Sequence, residues 1–219
     1  SRKQLEKSIE RTKKLMQEAA KKLDFIEAAQ YRDEVLKMEE LLKDRRGNLT
    51  LTNINGLCRI ALDKLKKTYE QDIQEKNIRI IFDNLTLSLM MEVNVEQFSK
   101  VLAGILKNSM YALLKKSETV TFSPEIFLGL KVNKDMLEIT IRDNGSGIDE
   151  NIKDKIFAPF FTTKTTGEAA GVGLYLCREI VQNHRGTIEE ESKKGEYTQF
   201  LITIPVYQPK TITPPKEEE

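Results

Sequence analysis

The sequence feature that most restricts the fold of this chain is an alternating run of apolar and polar residues. The run ends in an acidic turn that contains glycine. Residues 136–141 (Met-Leu-Glu-Ile-Thr-Ile) alternate as a half-buried β-strand does. The next segment, residues 143–148 (Asp-Asn-Gly-Ser-Gly-Ile), places one carboxylate and two glycines in a tight turn. Glycine has no Cβ, so the backbone there can lie against a flat ligand. The segment predicts either a strand that delivers Asp143 to a ligand or a plain turn between two strands.

Helical and strand periodicity alternate along the chain after residue 49. Helices are predicted at residues 55–76, 95–114 and 173–182, and strands at residues 78–82, 87–93, 125–132, 137–142, 186–191 and 199–205. The helix at residues 95–114 is the most apolar of these elements. Their order predicts an α+β fold, built as a two-layer α/β sandwich with helices on one face of a mixed sheet.

The first 44 residues predict two helices that form an antiparallel α-hairpin. Apolar or small residues recur at helical spacing in both halves: Leu5, Ile9, Thr12, Met16, Ala19 and Leu23 in the first, and Ala28, Ala29, Val35, Leu36, Leu41 and Leu42 in the second. Asp24 lies at the break between them and is suited to cap the second helix. A hairpin with one narrow apolar stripe buries little surface alone. We therefore expect a second hairpin or a neighbouring domain to cover the stripe.

Composition limits the classes of partner and compartment. The net charge of +1 lacks the basic excess of a nucleic-acid binder, so no direct nucleic acid binding is expected. No apolar stretch approaches the roughly 18 to 20 residues of a membrane helix. Cys58 and Cys177 match no metal spacing and are expected to be free thiols in a reducing, cytoplasmic environment. The tail at residues 208–219 is rich in Pro, Thr, Lys and Glu and is expected to be disordered.

Four segments resemble, in order, the ATP-site motifs of the GHKL superfamily, in particular those of sensor histidine kinase catalytic domains. They are residues 104–109 (Gly-Ile-Leu-Lys-Asn-Ser), 143–148, 157–164 (Phe-Ala-Pro-Phe-Phe-Thr-Thr-Lys) and 169–176 (Ala-Ala-Gly-Val-Gly-Leu-Tyr-Leu). The resemblance extends over residues 50–206 and implies a Bergerat-type ATP-binding fold. The expected domains are therefore a hairpin at residues 1–46 and a histidine-kinase-like ATPase domain at residues 47–207.

The resemblance implies a role for each segment in binding ATP and Mg²⁺. Asn108 is the implied catalytic residue and Mg²⁺ ligand, and an amide oxygen suits this oxygen-preferring ion. Asp143 is the implied acceptor for the adenine amino group. Lys164 is placed to meet the phosphates, with a solvated surface lysine as the alternative. The implied nucleotide-binding residues are Asn108, Asp143, Gly145, Gly147, Ile148, Phe157, Phe161, Lys164, Gly171, Val172, Gly173 and Leu174.

Two positions depart from the patterns of these relatives. Ala169 stands where the last motif usually has its first glycine, although Gly167 lies two residues upstream. Gly104 stands four residues before Asn108, where gyrase-type relatives that hydrolyse ATP carry a glutamate base. The first departure implies a stiffer or weaker nucleotide site. The second favours phosphotransfer or plain binding over hydrolysis.

Residues 15–33 resemble the UVR motif of the UvrB and UvrC repair proteins, including its Asp-Phe break and its Arg-Asp pair. In that family the hairpin pairs with another copy of itself, which implies a homodimer through residues 1–46. An ordinary charged hairpin and the remnant of a kinase dimerisation bundle are the alternatives. The fusion of this motif to an ATP domain is either natural or engineered.

The sequence has a single histidine, His184, for which a structural role is expected. The helices of residues 2–44 therefore lack a phosphoacceptor histidine. The resemblance implies the Mg-ATP-binding catalytic domain of a two-component sensor histidine kinase, acting on a histidine supplied by another segment or polypeptide. A response regulator or a phosphoacceptor-bearing protein is then the expected partner. The alternatives are a non-catalytic ATP-sensing module and a UVR-mediated scaffold with a degenerate ATP site.

Overall fold

The computed structural model describes residues 2–43, 49–164 and 171–206. Three sequence predictions lie outside these ranges: the boundary at residue 46, the departure at Ala169 with its neighbour Gly167, and the tail at residues 208–219. In chain order the elements are α1 (Arg2–Lys21), α2 (Phe25–Lys43), β1 (Thr50–Asn53), α3 (Ile54–Thr68), α4 (Glu70–Glu75), β2 (Arg79–Asp83), β3 (Met90–Val93), α5 (Val95–Ser117), β4 (Glu125–Asn133), β5 (Met136–Asp143), a 3₁₀ helix (Glu150–Lys155), α6 (Gly173–Asn183), β6 (Thr187–Lys193) and β7 (Tyr197–Pro205).

The larger sheet has parallel and antiparallel strand pairs, and helices α5 and α6 pack against it. Its strand order is β2-β4-β5-β7-β6, with β2 parallel to β4 and the remaining neighbours antiparallel. Leu137, Ile139 and Ile141 alternate along β5 and are fully buried. Helices α5 and α6 contact each other and the sheet, and the buried side of α5 includes Phe98 and Met110. The predicted α+β, two-layer sandwich with an N-terminal α-hairpin is confirmed.

Two local predictions outside the hairpin are wrong. The sequence predicts one helix over residues 55–76, but the helix breaks at Tyr69, where φ is −115° and ψ is 30°. The Tyr69 ring packs against the core, and this tertiary contact outweighs continuation of the helix. The sequence predicts no strand before residue 78. The four residues of β1 nevertheless pair with β3 in a separate two-stranded sheet, because so short a run carries no detectable periodicity.

The hairpin forms at the predicted break. Asp24 Oδ1 accepts a hydrogen bond from the Glu27 N–H at 2.9 Å, which caps α2. Leu23 was expected in the apolar stripe, but it occupies the turn with a φ of 62° and its side chain is 72% exposed. Leu36 is 57% exposed, and Met38 is fully buried instead. Met38 is three residues after Val35 and shares its helix face, which explains the difference.

The rest of the chain covers the apolar stripe of the hairpin. Leu5, Ile9, Val35 and Met38 belong to the same buried cluster as the core of the α/β domain. An ion pair between Lys100 of α5 and Glu40 of α2, 2.7 Å long, lies at the edge of this contact. The sequence predicts that a second hairpin or a neighbouring domain covers the stripe, and in the structure the neighbouring α/β domain covers it.

His184 joins the two helices that carry the site. Its Nε2 accepts a hydrogen bond from the Asn94 N–H at 3.0 Å, so Nδ1 carries the proton that is donated to the Ile180 carbonyl at 2.8 Å. Asn94 caps α5, since its side chain accepts a hydrogen bond from the Gln97 N–H. The imidazole therefore ties the start of α5 to the end of α6, in keeping with the structural role expected for it.

Two further observations bear on the chemistry of the chain. Cys58 and Cys177 are free and buried, and burial raises the pKa of each thiol to about 12. Both are therefore protonated and unreactive at neutral pH. Within the ranges that the structure describes, no helix combines the length and the apolarity that crossing a membrane requires.

Candidate functional site

A buried carboxylate marks the centre of the site. Asp143 ends β5, and only 3% of the residue is exposed. Its Oδ1 accepts a hydrogen bond from the Gly145 N–H at 3.0 Å. Burial raises the pKa of the carboxyl group to about 6, although the Ser109 hydroxyl, the Gly145 N–H and the charge of Lys116 act in the opposite direction. Such a group is costly to keep in a fold and is typical of functional sites.

A second buried polar group lies beside this carboxylate. Ser109 is on α5, and its Oγ is buried without a partner of normal hydrogen-bond geometry, though it is near enough to lower the pKa of Asp143. Buried polar atoms are normally paired, so a hydroxyl and a carboxylate that lack good mutual geometry suit a ligand that brings its own donors and acceptors. The edge of an adenine ring has both. Ser109 belongs to the motif of residues 104–109, but the sequence predicts no role for it.

The two glycines of the turn are set against protein backbone. A Cβ built on Gly145 would lie 2.7 Å from the carbonyl carbon of Ala112 on α5. Gly147 has a φ of 63°, and a Cβ there would collide with the carbonyl oxygen of Lys193. The sequence reasoning expected these glycines to admit a ligand. The described contacts add a packing reason for both glycines, since they let the turn fit between α5 and the β6–β7 connection.

Hydrogen bonds hold the rest of the turn in place. The Ser146 N–H donates to the Ala112 carbonyl at 3.2 Å, and the Gly195 N–H donates to the Ser146 carbonyl at 2.7 Å. The Ile148 N–H donates to Ser192 Oγ at 2.8 Å, and the side chain of Ile148 packs against the core. This network fixes the position of Asp143 relative to α5.

Two residues predicted from different motifs meet on α5. Lys164 is half-buried, and its Nζ donates a hydrogen bond to Asn108 Oδ1 at 3.3 Å. The same Nζ lies 4.4 Å from the ring centroid of Tyr111. The Lys164 side chain is therefore partly covered by α5, and its role toward phosphates stays a prediction. Tyr111 is a residue that the sequence reasoning missed, and its one sequence signal is its place one helical turn after Asn108.

The oxygen of Asn108 is suited to a divalent cation. Among the described residues, no group of three or more His, Cys, Asp or Glu side chains is arranged to hold a metal ion. A metal at Asn108 would therefore take its other ligands from phosphate oxygens and water, an arrangement typical of Mg²⁺. The present partner of Asn108 Oδ1 is itself a cation, the Lys164 ammonium group. The donor set thus fits Mg²⁺ when it enters with a nucleotide.

The phenylalanine-rich segment belongs mainly to the core. Phe157 is 8% exposed, and its ring lies edge-on to Phe200 with centroids 6.2 Å apart. Phe161 is half-buried against the same core. Phe157 also lines a cavity of about 530 Å³ that includes Arg11 of α1. Phe157 therefore contacts β7 at Phe200, the partner of Ile141 on β5, and also borders the cavity beside the hairpin.

The last motif begins α6. Gly171 has a φ of 74°, and a Cβ there would lie 2.6 Å from the backbone of Phe160, so the two segments are tightly apposed. Val172 is 1% exposed and precedes the helix without a side-chain cap. Gly173 opens α6 with no other atom within 4 Å of the position of a Cβ, and Leu174 packs against the core. The uncapped N–H groups of α6 are of the kind that binds phosphate.

Gly104 has a packing explanation. A Cβ at this position would lie 3.2 Å from Cys177 Sγ, because α5 and α6 approach each other closely there. A glutamate in place of Gly104 would press against Cys177. Glycine at position 104 therefore suits the close contact between these two helices.

Comparison with known proteins identifies two regions of similarity. A family model described as "Histidine kinase-, DNA gyrase B-, and HSP90-like ATPase" matches residues 94–208, and a "UvrB/uvrC motif" model matches residues 6–41. The catalytic domain of the histidine kinase ThkA superposes with a TM-score of 0.59 and 28% identity, covering 72% of this chain and 95% of that one.

Two curated relatives match different parts of the chain. Cyanobacterial phytochrome A of Nostoc sp. is 34% identical over 149 residues, which cover 67% of this chain and 18% of the relative. UvrABC system protein B of Bacteroides fragilis is 78% identical over 45 residues, which cover 20% of this chain and 7% of the relative. The chain thus spans less than a fifth of the length of either relative.

Proposed function

Because the chain belongs to the histidine kinase-, DNA gyrase B-, and HSP90-like ATPase family, we propose that it binds Mg-ATP and serves as the catalytic domain of a sensor histidine kinase. The observation that supports this most strongly is the buried carboxylate of Asp143, with its raised pKa, beside the buried hydroxyl of Ser109. A carboxylate at 3% exposure that accepts one backbone N–H still has acceptor capacity for a donor on a ligand.

In the proposed site, one side chain binds the base of the nucleotide and two side chains bind at its phosphates. The Asp143 carboxylate accepts a hydrogen bond from the adenine amino group, which selects adenine over guanine. Asn108 would supply one oxygen ligand to Mg²⁺, and the ion would supply positive charge to the phosphates. Lys164 brings an ammonium group to the same end of the site. Phosphoryl transfer depends mainly on such positioning and electrostatics, so the lack of a base at Gly104 does not oppose it.

The acceptor of the phosphoryl group must lie elsewhere. His184 is the single histidine of the sequence, and both of its ring nitrogens are hydrogen-bonded inside the fold. We therefore propose that the acceptor histidine belongs to another segment or polypeptide, with a response regulator downstream. A non-catalytic ATP sensor remains the alternative, since it needs the same nucleotide site and no acceptor.

Titration calorimetry with ATP, with and without Mg²⁺, tests the nucleotide site directly. We expect micromolar affinity that Mg²⁺ strengthens, because the metal joins the phosphates to Asn108. GTP is the control, and it should bind more weakly because guanine presents a carbonyl oxygen where adenine presents an amino group. Absence of ATP binding at millimolar concentration would refute both the kinase proposal and the sensor alternative. The UVR-mediated scaffold with a degenerate ATP site would then be the remaining hypothesis.

We also propose that the hairpin pairs with a second copy through its turn. Leu23, Phe25 and Ile26 are 72%, 68% and 75% exposed, which makes the turn an apolar patch, whereas the stripe is already covered. Large apolar side chains exposed together mark association surfaces.

Replacing Phe25 and Ile26 together with serine should convert a dimer to a monomer. Each buried apolar side chain contributes about 1.5–3 kcal/mol, so the dissociation constant should rise at least a hundredfold, roughly. Light scattering at several concentrations measures the change. Leu36→Ser is the matched control, since Leu36 is 57% exposed on α2 away from the turn. A dimer that persists in the double variant would exclude the turn as the association surface.

A further inference from the structure

One cation, one amide oxygen and one aromatic ring form a cluster on the outer side of α5. Asn108 and Tyr111 are three residues apart and therefore neighbours on one face of the helix. Lys164 arrives from the segment that follows Phe161, and its Nζ lies 3.3 Å from Asn108 Oδ1 and 4.4 Å from the Tyr111 ring centroid. The ammonium group thus lies against a hard oxygen and within cation–π distance of a ring.

The oxygen that holds Lys164 is the same oxygen proposed to bind Mg²⁺. An ammonium group and a divalent ion repel each other strongly at contact distance, so both cannot occupy Asn108 Oδ1 together. Lys164 has an unbranched side chain with rotatable bonds that allow its ammonium group to move a few ångströms. A nucleotide that enters with Mg²⁺ brings phosphate oxygens, which are strong partners for a displaced ammonium group.

We propose that Tyr111 and Lys164 control which cation contacts Asn108 Oδ1, the Lys164 ammonium group or Mg²⁺. We call this pair the exchange device. In the nucleotide-free chain, Tyr111 holds the Lys164 ammonium group on Asn108 Oδ1. With Mg-ATP bound, Asn108 Oδ1 would serve as a metal ligand and the Lys164 ammonium group would contact the phosphates instead. Tyr111 is then a positioning residue, because it acts through Lys164 and needs no contact with the nucleotide. The inference rests on the proposed Mg-ATP function and adds a mechanism that links metal entry to phosphate recognition.

The device makes a specific prediction for Lys164→Met. Without Mg²⁺, Lys164 is the cation that the cluster offers to the phosphates, so affinity for ATP should fall about tenfold or more. With Mg²⁺, the loss should be smaller, because the metal neutralises the phosphates and no longer competes for Asn108. The ratio of the two affinities, which we call the Mg²⁺ enhancement, should therefore increase severalfold in the variant. Adenosine carries no phosphate, and its affinity should not change.

Substitutions of Tyr111 separate positioning from simple packing. Tyr111→Phe keeps the ring face and should retain the wild-type Mg²⁺ enhancement. Tyr111→Leu removes the ring and should shift the enhancement in the same direction as Lys164→Met, by a smaller amount. Calorimetry of the full chain with ATP, with and without Mg²⁺, and with adenosine gives every value, and circular dichroism verifies that each variant is folded.

The outcomes distinguish this inference from the function on which it rests. If the wild-type chain binds neither ATP nor adenosine, the proposed function fails and the exchange device fails with it. If the wild-type chain binds both, but Lys164→Met leaves the Mg²⁺ enhancement unchanged, the device alone is wrong. An equal change in Tyr111→Phe and Tyr111→Leu would also overturn it, because the hydroxyl rather than the ring face would then be responsible.

Discussion

Replacing Asp143 with asparagine is expected to weaken ATP binding by about one to two decades and, at the same time, to stabilise the nucleotide-free protein at neutral pH. The loss of affinity follows from replacing a charged acceptor with a neutral amide, which costs roughly 1.5–3 kcal/mol. Titration calorimetry measures this effect. An unchanged affinity for ATP would mean that Asp143 does not contact the base.

The gain in stability follows from the raised pKa of Asp143. The carboxyl group has a pKa of about 6 in the fold against an ordinary value of 3.8, chiefly because burial disfavours the charged form. The fold therefore favours the protonated group, and this contribution is fully present below pH 3.8 and lost as pH rises through about 6. Asparagine is never charged, so the variant should gain up to about 3 kcal/mol above pH 6 but only about 0.5 kcal/mol near pH 4.

Denaturant unfolding at pH 7.5 and at pH 4 distinguishes the pH-dependent gain in stability of Asp143→Asn from a change in stability that is the same at both pH values. Asp154→Asn is the matched control, since Asp154 is an exposed carboxylate on the 3₁₀ helix, and it should leave the difference between the two pH values unaltered. Equal stabilities of the wild type and Asp143→Asn at pH 7.5 would show that water or a counter-ion already relieves the buried charge.

Replacing Gly147 with alanine should cost about 3–5 kcal/mol, a large fraction of the stability of a domain of this size. Part of the cost is the left-handed backbone, because Gly147 has a φ of 63°. The larger part is steric, since the new methyl group would collide with the carbonyl oxygen of Lys193 and force the turn away from the β6–β7 connection. Asp143 would move with it.

Gly195→Ala isolates the backbone contribution. Gly195 has a φ of 80°, yet no atom lies within 4 Å of the position of its Cβ. This variant should cost only about 1–2 kcal/mol, the usual penalty for a left-handed residue other than glycine. Chemical denaturation of both variants under the same conditions gives the comparison. Equal costs would mean that the collision at Gly147 is relieved by a small backbone shift.

The parts of the fold with strong periodicity were predictable from the sequence. The resemblances to the histidine kinase ATP domain and to the UVR hairpin are confirmed, as is the α+β sandwich. Residues such as Ile139 of β5 and Phe98 of α5 are buried where their patterns indicate. Leu36 and Leu23 show the limit of such patterns, because a leucine at helical spacing can still lie beyond the edge of a narrow contact.

The contacts within the site were less predictable. The implied roles of Asn108 and Lys164 came from separate motifs, and nothing in the sequence places one against the other. An aromatic residue such as Tyr111 on an apolar helix is normally read as part of a core. The backbone contacts of Gly145 and Gly147 arise from long-range packing, which local sequence does not encode. The nucleotide roles themselves remain predictions.

The hydrogen bonds of His184 have a practical consequence for assays. A phosphate on histidine is recognised by its lability in acid, and self-labelling is the usual background in such experiments. Here the one imidazole of the sequence is 8% exposed and has both nitrogens engaged. Acid-labile label formed in a mixture of this chain with a histidine-bearing peptide would therefore belong to the peptide. Candidate acceptors can then be screened without background from a histidine of the chain itself.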